Sequence, residues 1–104
     1  MILIAFRSRL TEAAGADYAA AEQELDALAR QAPGFVDVRS YTAEDGERLT
    51  LVWWRDTESL KAWRQLPRHV EAQRAGRARW YEYYRVEVAE VIRESNFARE
   101  SSRR

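Results

Sequence analysis

The chain has 104 residues, 46% apolar and 33% charged, which is enough for one compact domain and short for two. Seventeen basic and seventeen acidic side chains cancel, and this argues against a general binder of nucleic acid or anionic membrane. With no cysteine and one histidine, His69, the sequence excludes disulfides, thiolate metal sites, cysteine nucleophiles and imidazole clusters within one chain.

Met1-Ile2-Leu3-Ile4-Ala5-Phe6 opens the chain as an apolar run, but it lacks a basic leader and meets Arg7, so it does not read as a signal peptide. No apolar stretch approaches membrane-spanning length, and the expectation is a cytoplasmic domain. Residues 2–9 read as a first strand with apolar residues on both faces, Ile2, Ile4 and Phe6 against Leu3 and Ala5. From Ala16 to Gln31 the period becomes helical, with Tyr18, Ala21, Leu25, Leu28 and Ala29 in one stripe and Asp26 and Arg30 spaced as an exposed i,i+4 pair. Pro33-Gly34 stops that helix.

Phe35 to Thr42 predicts a second strand, Val36 and Val38 facing away from Phe35 and Tyr41. Glu44-Asp45-Gly46-Glu47 supplies a hairpin turn, and Arg48 to Trp54 the third strand, apolar on both faces. Asp56 or Thr57 caps a second helix that buries Leu60 and Trp63. Pro67 interrupts it, and helix is expected again from Arg68 to Arg77. The last strand is expected from Trp80 to Arg93, with Trp80, Tyr84, Val86, Val88 and Ile92 alternating against Tyr81, Tyr83, Ala89 and Val91. A domain over 1–97 is then followed by a short tail over 98–104.

The order βαββαβ is that of an α+β ferredoxin-like split βαβ fold, a four-stranded antiparallel sheet with helices on one face. Such helices shelter one face only, yet these strands carry large apolar groups on both. A second copy, sheet against sheet in a closed homodimer, is the expected cover. Aromatic residues make up 12% of the chain, and sixteen of the seventeen basic residues are arginine. These types suit interfaces and flat, partly anionic ligands.

Leu51-Val52-Trp53-Trp54-Arg55-Asp56, Ser59-Leu60-Lys61-Ala62-Trp63, Leu66-Pro67-Arg68-His69, Glu71 to Arg77 and Trp80 to Val86 form a succession that resembles the antibiotic biosynthesis monooxygenase (ABM) family over Met1 to Phe97. The resemblance implies a dimeric α/β-barrel. Its activities are cofactor-free oxygenation of a phenolic or anthrone-like substrate in a pocket between helices and sheet, or haem degradation. In the first, Arg7 would stabilise an oxyanion, His69 or a tyrosine would move a proton, and Trp54 and Trp63 would wall a planar ligand. In the second, an Asn on the first strand, a Trp on the second helix and a later His would be needed. Trp63 matches the tryptophan, but Arg7 holds the asparagine position and Gln73 the histidine position. Glutamine is a poor axial ligand for haem iron, so haem is disfavoured and no cofactor or metal is expected.

Candidate ligand-binding residues are therefore Arg7, Trp54, Trp63, His69 and Gln73, with Arg7 and His69 the candidate catalytic groups. The partners implied are a second copy and a small aromatic molecule, with neither nucleic acid nor membrane. The alternative from another class is a non-catalytic ligand-binding or structural homodimer. A pocket of roughly 300 Å3 or more would favour a ligand over a filled core.

Overall fold

A computed structural model describes residues 1–99; of the tail expected over 98–104, residues 100–104 lie outside it. The elements follow as β1 (Ile2–Leu10), α1 (Ala16–Gln31), β2 (Phe35–Thr42), β3 (Arg48–Trp54), α2 (Thr57–Arg64), α3 (Pro67–Ala75), a π-helical turn (Gly76–Trp80) and β4 (Tyr81–Glu90). The strands form one antiparallel sheet in the order β2-β3-β1-β4, the ferredoxin-like arrangement expected of βαββαβ.

Local chemistry sets the element boundaries. Asp56 caps α2: its Oδ1 accepts the Ser59 backbone N–H at 2.8 Å. Pro67 does not interrupt a helix but begins one, because its missing N–H is harmless in a first turn. Gly34 adopts φ +83°, and a Cβ there would meet the Ser59 hydroxyl at 2.0 Å, so the α1–β2 turn and the start of α2 touch through a residue without a side chain.

Pairing of Ile2 with Trp54, Ile4 with Val52 and Phe6 with Thr50 defines one face of the sheet. That face carries the core, in which Ile2, Trp54 and Leu60 pack with Ile4, Ala32, Phe35, Val52 and Trp63. The opposite face presents Leu3, Ala5, Leu49, Leu51 and Trp53, all partly exposed, flanked by exposed Tyr41 and Tyr83. No described helix packs on it.

Two irregularities shift the alternation read from the sequence. The register slips between Phe35 and Asp37, so Phe35 opposite Trp54 and Val38 opposite Val52 share the core face instead of facing apart, and Val36 is left exposed. A second slip pairs Leu10 with Tyr81 but Arg9 with Tyr83. Trp80 falls in the π-helical turn, so β4 starts one residue later than expected, and it ends at Glu90 rather than Arg93. Beyond it, residues 91–99 form neither helix nor strand, although the Val91 N–H still bonds the Met1 carbonyl at 2.9 Å.

Candidate functional site

The core face gathers aromatic rings into two groups. The first is a ladder leading out from the sheet. Phe35 meets Trp54 edge-on at 5.8 Å, Trp54 lies 5.7 Å from Trp63 on α2, and Trp63 lies 5.3 Å from His69 on α3. Trp54 is 1% exposed, so it backs Trp63 and does not itself offer a surface. His69 Nδ1 is buried and has no hydrogen-bond partner. Burial holds the His69 pKa below its ordinary value; a backbone hydrogen bond with Arg64 works against that shift, and the Arg64 charge adds to it. The imidazole is thus neutral near pH 7, and the cation that acts on it, Arg64, stands at the end of α2.

Beside this ladder α2 and α3 enclose a cleft of about 440 Å3 lined by Thr57, Leu60, Lys61, Arg64, Gln65 and Gln73. Gln73 is one helical turn from His69 on α3, and Arg64 both faces the cleft and acts on His69. A second cleft of about 300 Å3 lies between α1 and α3, edged by Asp17, Glu24, Arg68, Glu71 and Arg79. Both volumes are in the range of small-molecule sites, but neither lining includes a strand residue or His69. The clefts run between helices rather than between helices and sheet.

The second aromatic group occupies the other end of the same face. The slip at Tyr81 turns its ring to the side of Tyr84, and both meet Phe6 at 5.6 and 5.4 Å. Tyr18 closes on Tyr81 and Trp80, donates its hydroxyl hydrogen bond to Glu22, and accepts one from Arg48 at 2.6 Å. Burial, then the Glu22 carboxylate, raises the Tyr18 pKa and keeps this phenol protonated. Asp17 receives the Trp80 indole N–H at 3.0 Å and the Arg79 guanidinium at 2.9 Å, and these bonds lower its pKa.

The structure brings together Trp54, Trp63 and His69 and puts Gln73 beside them. Arg7 is not among them. Its parity places it on the opposite face, between Leu49 and Arg85, where its Nε lies 3.4 Å from Glu47. Lys61 and Arg64 are the cations that face the cleft, and the sequence signal for them was their i,i+3 spacing around Trp63's helix.

A search against protein-family models matches residues 1–75 to the family described as antibiotic biosynthesis monooxygenase. The chain belongs to that family. Among curated proteins, this ABM domain is 35% identical over 80 residues to YqjZ of Bacillus subtilis, covering 77% of this chain and 70% of that one. Among solved structures it superposes on Rv0793 from Mycobacterium tuberculosis with a TM-score of 0.78 at 17% identity, over 91% of this chain and 98% of that one. It also superposes on SnoaB from Streptomyces nogalater, a cofactor-independent oxygenase, with a TM-score of 0.73 at 16% identity, over 89% and 94% of the two chains. At these identities the two superpositions establish the ABM fold.

The ABM resemblance also brings haem into question, and the residues present do not fit it. Gln73 stands exposed on the cleft wall where an imidazole would be needed, and the one imidazole of the chain is packed against Trp63 with Nδ1 buried. Among the described residues no three His, Cys, Asp or Glu side chains gather in a metal-binding arrangement, and no helix is long and apolar enough to cross a membrane.

Proposed function

We propose that this ABM-family chain is a cytoplasmic homodimeric monooxygenase that oxygenates a small aromatic or phenolic molecule without a cofactor. Family membership supports the reaction class, and SnoaB, a structural neighbour, is a cofactor-independent oxygenase. The observation that carries the site is the His69 Nδ1, buried without a partner at the end of the Trp54–Trp63 ladder. A neutral, desolvated imidazole next to a flat indole is suited to take a proton from an aromatic carbon acid lying on that indole.

In this reading the substrate rests on Trp63, with Gln73 at its rim, and His69 removes the proton. Arg64 and Lys61 offset the negative charge that develops. The carbanion gives its electrons to O2, forming a hydroperoxide on the same carbon. Loss of water then leaves a carbonyl. One CH2 becomes C=O, and the two oxygen atoms end in that carbonyl and one water, so the substrate supplies all four electrons. Trp54 holds Trp63 in place from behind. Arg7, on the far face with Glu47, is assigned to the contact with the second copy, whose sheet covers Leu3, Leu51 and Trp53.

Oxygen uptake with a panel of anthrones and hydroquinones tests the reaction. Uptake above background is expected, falling about a hundredfold in His69→Ala, as for loss of a general base. Uptake no faster than in buffer overturns the enzymatic reading and leaves the ligand-binding homodimer. Sedimentation across a dilution series tests the dimer, and a stable monomer overturns it.

A further inference from the structure

The two helical clefts sort charge in opposite ways. The cleft between α1 and α3 carries Asp17, Glu24 and Glu71 beside Arg68 and Arg79, and these groups pair with one another. The larger cleft, between α2 and α3, presents Lys61 and Arg64, the amides of Gln65 and Gln73 and the Thr57 hydroxyl beside the buried Leu60. No carboxylate lines it. Glu71, the acid of α3, is drawn onto Arg68, and Glu58, in the first turn of α2, is not part of the wall.

Eight described arginines hold an Asp or Glu side chain within ion-pair distance. Neither Lys61 nor Arg64 does so with any described residue. Both stand in the last turn of α2, where the helix dipole favours a cation, but that dipole supplies only about half a negative charge against two positive ones. At i,i+3 their side chains leave the helix as neighbours, roughly 5–6 Å apart at Cβ. Two uncompensated cations at that spacing, flanked by amide donors, are the complement of two carboxylates carried on one small molecule.

We propose that the α2–α3 cleft binds a small organic dicarboxylate, Lys61 and Arg64 each taking one carboxylate and the Gln65 and Gln73 amides donating to the remaining oxygens. The cleft volume, about 440 Å3, suits a ligand of that size. This goes beyond the oxygenation reading and does not need it. There the same two cations answer a charge that exists only during turnover; at rest they stay uncompensated. Binding also reaches the aromatic ladder, because Arg64 faces the cleft and its charge makes His69 harder to protonate. A carboxylate on Arg64 offsets that charge and makes the imidazolium easier to form.

Isophthalate, its neutral isostere isophthalamide and the monoanion benzoate are titrated into the isotope-labelled chain at low salt, over a series of pH values. Isophthalate is expected to move the backbone amide resonances of Lys61, Arg64, Gln65 and Gln73, and to raise the His69 midpoint read from its ring C–H signals. Isophthalamide should do neither, and benzoate should bind about tenfold more weakly, having lost one charge-assisted contact. Lys61→Gln and Arg64→Gln, both at exposed positions, should each weaken isophthalate about tenfold with the fold intact. Arg64→Gln should also raise the His69 midpoint without ligand and abolish the further rise with it. Equal binding of isophthalamide or benzoate, or unchanged affinity in both variants, overturns the site. Shifts as large at Arg39 and Arg74, cations outside the cleft, show attraction to unpaired arginines only and also overturn it. A His69 midpoint that stays put while the cleft resonances move overturns the reach to His69. None of these readings uses oxygen uptake, so their failure is distinct from failure of the oxygenation reading.

Discussion

The rings of Trp54 and Trp63 lie 5.7 Å apart at an angle of 32°, one on the third strand and the other on the second helix. The two residues divide the work of one surface. Trp54 is enclosed and takes the burial, whereas Trp63 is partly open and meets His69.

Trp54→Ala and Trp63→Phe should therefore fail differently. Removing the enclosed indole empties the centre of the core and costs about 3–5 kcal/mol, read as a large drop in thermal midpoint. Trp63→Phe retains most of the packing, so the fold should survive while affinity for a planar ligand falls. Equal thermal losses in Trp54→Ala and Trp63→Phe would contradict this division.

His69 should titrate below its ordinary value, because burial disfavours the imidazolium. A depressed folded-state pKa means that this group's contribution to stability is complete above the unfolded value, near 6.5, and is lost as pH falls through the folded one. The ring C–H resonances of the only histidine give the midpoint directly by NMR. Activity that depends on the neutral base should rise with pH through that midpoint; a midpoint above the ordinary value would contradict both statements.

Asp56 is held down to about 2, first by the Ser59 backbone N–H, then by the Ser59 and Arg55 side chains. Its contribution to stability is present above the ordinary carboxylate value and is lost as the pH drops from about 4 through 2. Asp56→Asn keeps a capping oxygen but cannot be protonated in that window. Acid unfolding should accordingly be shallower in the variant over that range, and parallel curves would show that the cap carries no such linkage.

Gly34→Ala should destabilise by more than about 1 kcal/mol, because it combines positive φ with a Cβ driven onto Ser59. The double variant Gly34→Ala with Ser59→Gly relieves the collision and leaves only the backbone strain. Chemical denaturation of wild type, single and double variants separates the two contributions; a double variant no more stable than the single one would mean that Ser59 moves aside freely.

Helix α1 and strands β2 and β3 were legible to the residue, because a 3.6-residue stripe from Tyr18 to Ala29 and flanking turn residues leave little choice. Which side chains share a face was less so. Alternation assigns Tyr81 and Tyr84 to opposite sides, and Phe35 and Val38 likewise, but each strand inserts an extra residue at its start. A slip depends on pairing with a neighbour and on the π-helical turn before β4, neither of which leaves a periodic trace. The ladder was legible in part: Trp54 and Trp63 fall on adjoining elements. Arg7 was misplaced relative to them because both strand faces are apolar near Ile2, so composition alone does not tell which one the helices take. The depressed pKa of His69 arises mainly from burial, which no sequence spacing reports.

The slip at Tyr81 also governs how this edge can be re-engineered. A designer who recodes β4 by odd and even numbering from the π-helical turn will send every replacement to the wrong side of the sheet. Counted from Tyr84, the same scheme works, since the strand runs regularly from there to Glu90. Removing Glu82, the residue between Tyr81 and Tyr83, would restore simple counting and leave Tyr81 opposite Leu10, on the side of Phe6 and Tyr84, so that alternation would then hold along the whole strand.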